Sequence, residues 1–189
     1  MNNAILIVDD DIRVLSSLKR SLKKEPYEIC TAESGKDGMS LLQERPFKLV
    51  ISDERMPQMS GTEFLSLVKK DFPDTVRIML TGHASISAAI SAVNNGEIYR
   101  FFLKPWDDIE LKMSIKSGID KYNLEDENRR LLKTIKSQVL EIKILERQFP
   151  GISRLEHDDA GNLIVPETSK AELENLFREC ELEVQRKIK

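Results

Sequence analysis

The sequence predicts an α/β fold: a doubly wound, five-stranded parallel sheet, then a long helix or coiled coil, a β-hairpin and a terminal helix. Three observations predict it. Short apolar runs alternate with stretches of helical period through the first part of the chain. Each helical stretch is long enough to serve as a crossover, which makes the strands parallel and covers both faces of the sheet. Beyond Trp106 the pattern changes to a single long run with a repeat of threes and fours.

The strands are expected at 5–8, 27–31, 49–52, 77–80 and 98–103. Between them, Val14/Leu15/Leu18/Leu22, Met39/Leu41/Leu42, Phe64/Leu65/Leu67/Val68 and Ile86/Ala89/Ile90/Val93 mark helices with one apolar face. The sheet domain is expected to end near Lys121, giving a division into 1–121, a coiled-coil helix over 122–149 and a hairpin plus helix over 150–189. A chain of 189 residues holds one full-size domain and an appendage.

A net charge of −3 argues against a nucleic-acid binder and against a disordered acidic tail. No apolar run reaches the length of a bilayer span, and "MNNAILIVDD" lacks the basic start of a signal peptide. A cytoplasmic protein with no membrane and no nucleic-acid partner is the expectation. Cys30 and Cys180 sit in apolar patterns far apart, as buried or half-buried thiols do.

In sheets of this kind, ligands lie beyond the carboxyl ends of the strands, where the winding reverses. The predicted strands end in Asp9-Asp10-Asp11, in Asp53, in Thr81-Gly82 and in Lys104-Pro105. Taken singly these have ordinary readings: Asp11 or Thr81 as a helix cap, Lys104 as a solvated strand end. Together they bring carboxylates, a hydroxyl and an ammonium to one edge. Asp9, Asp10 and Asp53 are hard oxygen donors with no predicted His or Cys beside them, a set suited to Mg2+ or Mn2+. Lys104 is a point charge suited to a phosphoryl group, and Thr81 can donate to one. A carboxylate beside a metal can act as a nucleophile and form an acyl phosphate.

"ILIVDDD", "SDERMPQMSG", "IMLTGHAS" and "FFLKPW" resemble, in order and spacing, the receiver domains of two-component response regulators, over about residues 3 to 121. The resemblance implies a flavodoxin-like fold and phosphotransfer from a sensor histidine kinase or a phosphotransfer protein. It implies Asp53 as the phosphoacceptor, Asp10 as the direct metal ligand, Asp9 as a ligand acting through water, and the backbone carbonyl of Arg55 as a further ligand. It also implies Thr81 as the switch hydroxyl, Lys104 as the phosphate-pairing lysine and Pro105 as the proline after a cis peptide bond. Counting back from Lys104 puts Phe101 at the aromatic switch position, with Tyr99 two residues earlier. "YRFFLKPWDD" is also similar to receivers ahead of cyclic-di-nucleotide phosphodiesterase domains. An enzyme turning over an external substrate is disfavoured. Phosphatases of the haloacid dehalogenase type need a second aspartate where this chain has Arg55, and no GxxxxGK loop is present.

After Trp106, a helix capped by Asp107 or Asp108 meets no breaker before Pro150. Asn128, Ile135, Ile142 and Phe149 fall at one core position of a heptad, and Leu124, Leu131, Gln138 and Leu145 at the other. Isoleucine paired with leucine in this way favours a parallel two-stranded coil, with Asn128 fixing register. A homodimer through 124–149 is the expectation, although Leu132, Val139, Leu140 and Ile144 widen the stripe beyond what two helices cover. "SRLEHDDAGNLIVPE" reads as a hairpin turning at Asp159, Ala160, Gly161 and Asn162. A last helix opens with Ser169 and Glu172 as a capping box and carries Leu173, Leu176, Phe177, Cys180 and Val184 on one face. This extension would bind an unidentified output protein. The alternative is the amino-terminal regulatory part of a longer regulator with an enzymatic output, such as a cyclic-di-nucleotide phosphodiesterase.

Overall fold

The structure, a computed structural model, describes residues 3–82, 98–149, 156–157 and 163–164. Strands β1 (Ala4–Val8), β2 (Glu28–Ala32), β3 (Leu49–Asp53), β4 (Val76–Thr81) and β5 (Arg100–Leu103) form one sheet in the order β2-β1-β3-β4-β5. All its pairings are parallel. Helices α1 (Ile12–Leu22), α2 (Gly35–Glu44), α3 (Gly61–Asp71) and α4 (Asp108–Gln148) are the described helices. β1 and β3 are buried along their whole length, as central strands of a covered parallel sheet must be.

Side chains alternate across the sheet, so each strand feeds two cores. Leu6, Val8, Val50 and Met79 pack with Leu42 of α2 and with Phe64, Leu65 and Val68 of α3. Ile5, Ile7, Ile51, Ile78 and Leu80 pack with Leu15, Leu18 and Leu22 of α1 and with Leu111, Ile115 and Ile119 of α4. Each fully buried Leu or Ile contributes about 2 kcal/mol through removal of apolar surface from water.

Local chemistry sets the helix starts. Asp11 accepts from the Arg13 N–H at the start of α1. Ser34 caps α2 through the Asp37 N–H, and Ser60 and Glu63 form a reciprocal capping box at α3. Asp107 caps α4, its Oδ1 accepting from the Glu110 N–H at 2.8 Å.

Each strand lies within one or two residues of its sequence expectation, and two of the shifted starts have a plain cause. β2 begins at Glu28 rather than at 27, because Tyr27 N–H turns back to the Glu25 carbonyl. β5 begins at Arg100 rather than at 98, where the ladder opposite Ile78 starts. Ile98 is nonetheless buried, which is what its apolar pattern reported. The helix expected around Ile86–Val93 and the last helix with its Ser169/Glu172 box lie outside the described residues. So do Cys180 and the hairpin turn. The hairpin's strands β6 (Glu156–His157) and β7 (Leu163–Ile164) are antiparallel, Glu156 opposite Ile164.

The chain divides into two compact units, Met1–Leu131 and Leu132–Lys189. In the first, α4 is tied down past its last buried apolar residue. Lys48 Nζ reaches Asn123 Oδ1 at 2.5 Å and Asn3 Oδ1 at 2.9 Å, and Arg129 pairs with Asp74 at 2.7 Å. Along the rest of α4, Leu131, Leu132, Ile135, Val139, Leu140, Ile142, Ile144 and Leu145 are exposed in the single chain. No described helix is long and apolar enough to cross a membrane.

Candidate functional site

Register alone builds the site. Val8 lies opposite Ser52, so Asp9 and Asp53 follow side by side at the ends of β1 and β3. Asp53 lies opposite Leu80, one residue before Thr81. Thr81 lies opposite Leu103, one residue before Lys104. β1 and β3 are also the strands between which the winding direction reverses, since the chain goes outward to β2 and then crosses to the other side.

Asp9 (1 % exposed), Asp53 (8 %) and Thr81 (0 %) are buried polar groups, and each has a partner. The Lys104 ammonium lies between two carboxylates, 2.5 Å from Asp53 Oδ1 and 2.8 Å from Asp9 Oδ2. The other oxygens accept from the backbone: Asp9 Oδ1 from the Asp11 N–H at 2.9 Å and Asp53 Oδ2 from the Arg55 N–H at 2.8 Å. The Lys104–Pro105 peptide is cis.

Burial of Asp9 pushes its carboxyl above the usual range, and the hydrogen bonds from Lys104 and Asp11 only partly offset this. Burial works to lower Lys104, but the hydrogen bonds and charges of Asp53 and Asp9 outweigh it and hold the ammonium above its usual value. Lys104 is therefore a secure cation.

The loop after β3 is shaped around Asp53. A Cβ at Gly61 would stand 1.8 Å from the Asp53 carbonyl oxygen, so only glycine fits. Ser52 Oγ donates to that same carbonyl at 2.8 Å.

Ligand oxygens of Asp9, Asp10 and Asp53 all lie within 4.8 Å of one another, with Asp10 exposed. Three carboxylates face one ammonium, which leaves negative charge uncompensated in a partly buried site. Hard oxygen donors with such an excess fit a small divalent cation.

Of the residues singled out in the sequence, Asp9, Asp10, Asp53, Thr81 and Lys104 stand together, and the Arg55 backbone touches Asp53. The two aromatics do not share a location. Phe101 packs in the α2/α3 core and sits opposite Met79. Tyr99 packs in the other core, its N–H bonded to the Arg77 carbonyl. Arg77 is four residues before Thr81 on β4, so Tyr99 lies about 13 Å along the sheet from the acidic edge.

One residue at the site escaped the sequence reading. Glu54, directly after Asp53, accepts the Thr81 hydroxyl proton, Oγ1 to Oε2 2.6 Å. Its position in a polar loop made it look like an ordinary turn residue. Only the β3–β4 register brings it to Thr81, 27 residues later.

Fold and site together define a doubly wound α/β protein with a cation-seeking acidic edge served by one lysine. The chain belongs to the response regulator receiver family: the family model described as response regulator receiver domain matches residues 5–116, more than half of the chain. It is a receiver of the two-component kind, a class of phosphoacceptor signalling domain that takes phosphate from histidine kinases and binds Mg2+ through an acidic pocket.

The chain is 32 % identical over 127 residues to the hydrogenase transcriptional regulatory protein HoxA of Cupriavidus necator, covering 67 % of this chain and 26 % of that protein. A crystal structure titled as adenylate cyclase from Rhodopirellula baltica matches with TM-score 0.67 and 38 % identity, over 70 % of this chain and 98 % of that one. The signal receiver domain of an HD domain-containing protein from Pseudomonas fluorescens matches with TM-score 0.63 and 36 % identity, over 67 % and 93 %. The chain spans about a quarter to a third of the length of the curated relatives it matches.

Proposed function

We propose that this receiver is switched by phosphorylation of Asp53 and signals through its carboxy-terminal extension. The observation that carries the reading is the Lys104 ammonium held between Asp53 and Asp9. A carboxylate beside a fixed ammonium can act as a nucleophile, and the same ammonium is in reach of a phosphoryl oxygen on it.

In the proposed step a phosphohistidine of a sensor kinase or phosphotransfer protein presents its phosphoryl group to Asp53. The Asp53 oxygen–phosphorus bond forms, the histidine nitrogen–phosphorus bond breaks, and the imidazole leaves with the electron pair. Lys104 pairs with charge on the phosphoryl oxygens. Asp10, Asp53 and the Arg55 carbonyl would hold Mg2+ directly and Asp9 would hold it through water, with Mn2+ as a substitute. When bound, that cation supplies further charge neutralisation on the transferring group. Thr81 and Phe101 are proposed as the switch pair. Tyr99, named with Phe101 from the sequence, has weaker support, because it lies away from the acidic edge.

The proposed division is receiver 1–121, coil 122–149 and hairpin plus helix 150–189. Homodimerisation through 124–149 is supported by the exposed heptad residues Leu124, Leu131, Ile135, Ile142, Leu145 and Phe149. An output protein is the partner proposed for the extension, in the cytoplasm, where a sensor kinase would reach the receiver. A second reading places this chain at the amino terminus of a longer regulator with an enzymatic output, such as a cyclic-di-nucleotide phosphodiesterase. It is favoured by the similarity to the structure described as an adenylate cyclase and to the receiver domain of an HD domain-containing protein.

The test is intact-mass measurement after incubation with Mg2+ and phosphoramidate. Wild type should gain a single phosphoryl group and the Asp53→Asn variant none. A variant that gains the group as wild type does would refute the assignment.

A further inference from the structure

The ends of β3 and β4 hold a contact that resting on Asp53 phosphorylation turns into a competition. Thr81 is wholly buried, and its hydroxyl donates to Glu54 Oε2 at 2.6 Å, with the Gly82 carbonyl a longer acceptor at 3.1 Å. A hydroxyl has one proton to donate. A phosphoryl group on Asp53 would draw on that same proton.

Glu54 is well placed to keep it. Its N–H donates to the Leu80 carbonyl at 2.9 Å, and its own carbonyl accepts from the Gly61 N–H at 2.7 Å. The backbone is thus fixed to β4 on one side and to the start of α3 on the other. A short bond to a charged acceptor in a partly buried place belongs to the stronger class of hydrogen bonds.

We infer that Glu54 is a positioning residue that holds the Thr81 hydroxyl in the unphosphorylated state and must release it before the phosphoryl group can be clasped. Two effects act together. The Glu54–Thr81 bond is lost on switching, so its free energy opposes the switched state. The Glu54 carboxylate and the phosphoryl oxygens are also like charges near one hydroxyl, so only one of them can occupy the position facing it. The inference goes beyond the phosphoacceptor reading while depending on it. That reading needs the Thr81 hydroxyl to be available, and Glu54 sets how available it is.

The probe is beryllium trifluoride with Mg2+, a phosphoryl mimic that binds a carboxylate without turnover. It is titrated into wild type, Glu54→Ala, Glu54→Gln, Thr81→Val and the Glu54→Ala/Thr81→Val pair. Glu54→Ala should bind about tenfold more tightly than wild type, the size of one hydrogen bond to a charged group. Glu54→Gln, which keeps a neutral acceptor, should fall between the two. In the Thr81→Val background, Glu54→Ala should gain clearly less, because the hydroxyl is gone and only the charge effect remains. An unchanged Glu54→Ala affinity, or an equal gain with and without the hydroxyl, overturns the inference; the second result would mean plain charge repulsion.

The Thr81 amide resonance gives a readout that does not need the valine variant. It should differ between wild type and Glu54→Ala before the probe is added and coincide at saturation. Resonances that coincide before the addition, or differ after it, overturn the inference as well. A wild type that neither binds the probe nor gains a phosphoryl group overturns the phosphoacceptor reading and this inference together. Normal wild-type phosphorylation with an inert Glu54→Ala variant overturns this inference alone.

Discussion

Asp9 is a buried carboxylate at the end of β1. Its carboxyl is raised by burial, so the folded state holds that proton more tightly than the unfolded chain does. Ionised Asp9 therefore opposes folding above its folded pKa, and this cost disappears as pH falls through that value. Metal binding runs the other way, because a carboxylate ligand must be ionised. Mg2+ affinity should fall on acidification, starting at higher pH than an aspartate with the ordinary pKa near 3.9 would give. Calorimetric Mg2+ titration measures this. Asp9→Asn should flatten the upper part of the profile, and an unaltered profile would remove Asp9 from the site's pH dependence. Gly61 gives a second expectation at this scale. A Cβ there would strike the Asp53 carbonyl, so Gly61→Ala should cost about 3 kcal/mol or more in urea unfolding, above the usual range for overpacking. Asp9, Asp53, Thr81 and Lys104 were legible in the sequence because each stands at the carboxyl end of a strand with an apolar run. Glu54 was not, because its partner is set by strand register and no local pattern reports a contact across two strands.

Elements were legible where a period was long and a cap was plain. α4 illustrates it: Asp107 starts the helix, no breaker intervenes, and the helix runs on to Gln148. β5 was read two residues too long because Ile98 and Tyr99 are core residues without being ladder residues. Apolar pattern reports burial, and only hydrogen bonding reports a strand. The exposed stripe on α4 supports a specific expectation. If Asn128 and its twin lie in the seam of a parallel dimer, Asn128→Ile should strengthen association and loosen register. Replacing Ile135 and Ile142 together by Lys should shift the protein to monomer, since it places like charges in that seam. Sedimentation equilibrium distinguishes these outcomes. A double-Lys variant as dimeric as its parent would mean that the seam lies elsewhere.

At the scale of the whole molecule, the sheet's cores close with Ile119 of α4, and the first compact unit reaches Leu131. The coil substitutions should therefore leave phosphorylation intact. The sequence made the receiver readable because strand ends, crossovers and two opposed apolar faces all agree with one topology. It made the extension less readable because a heptad stripe names a partner helix without saying whose helix it is. In the proposed switch, Asp53 takes the phosphoryl group. An aspartyl phosphate is an acyl phosphate, and borohydride reduces it to the alcohol, converting the aspartate to homoserine. Phosphorylated protein, reduced and digested, should carry homoserine at position 53 and unchanged aspartate at 9 and 10. Homoserine at 9 or 10, or none anywhere in a protein that has gained a phosphoryl group, would contradict it.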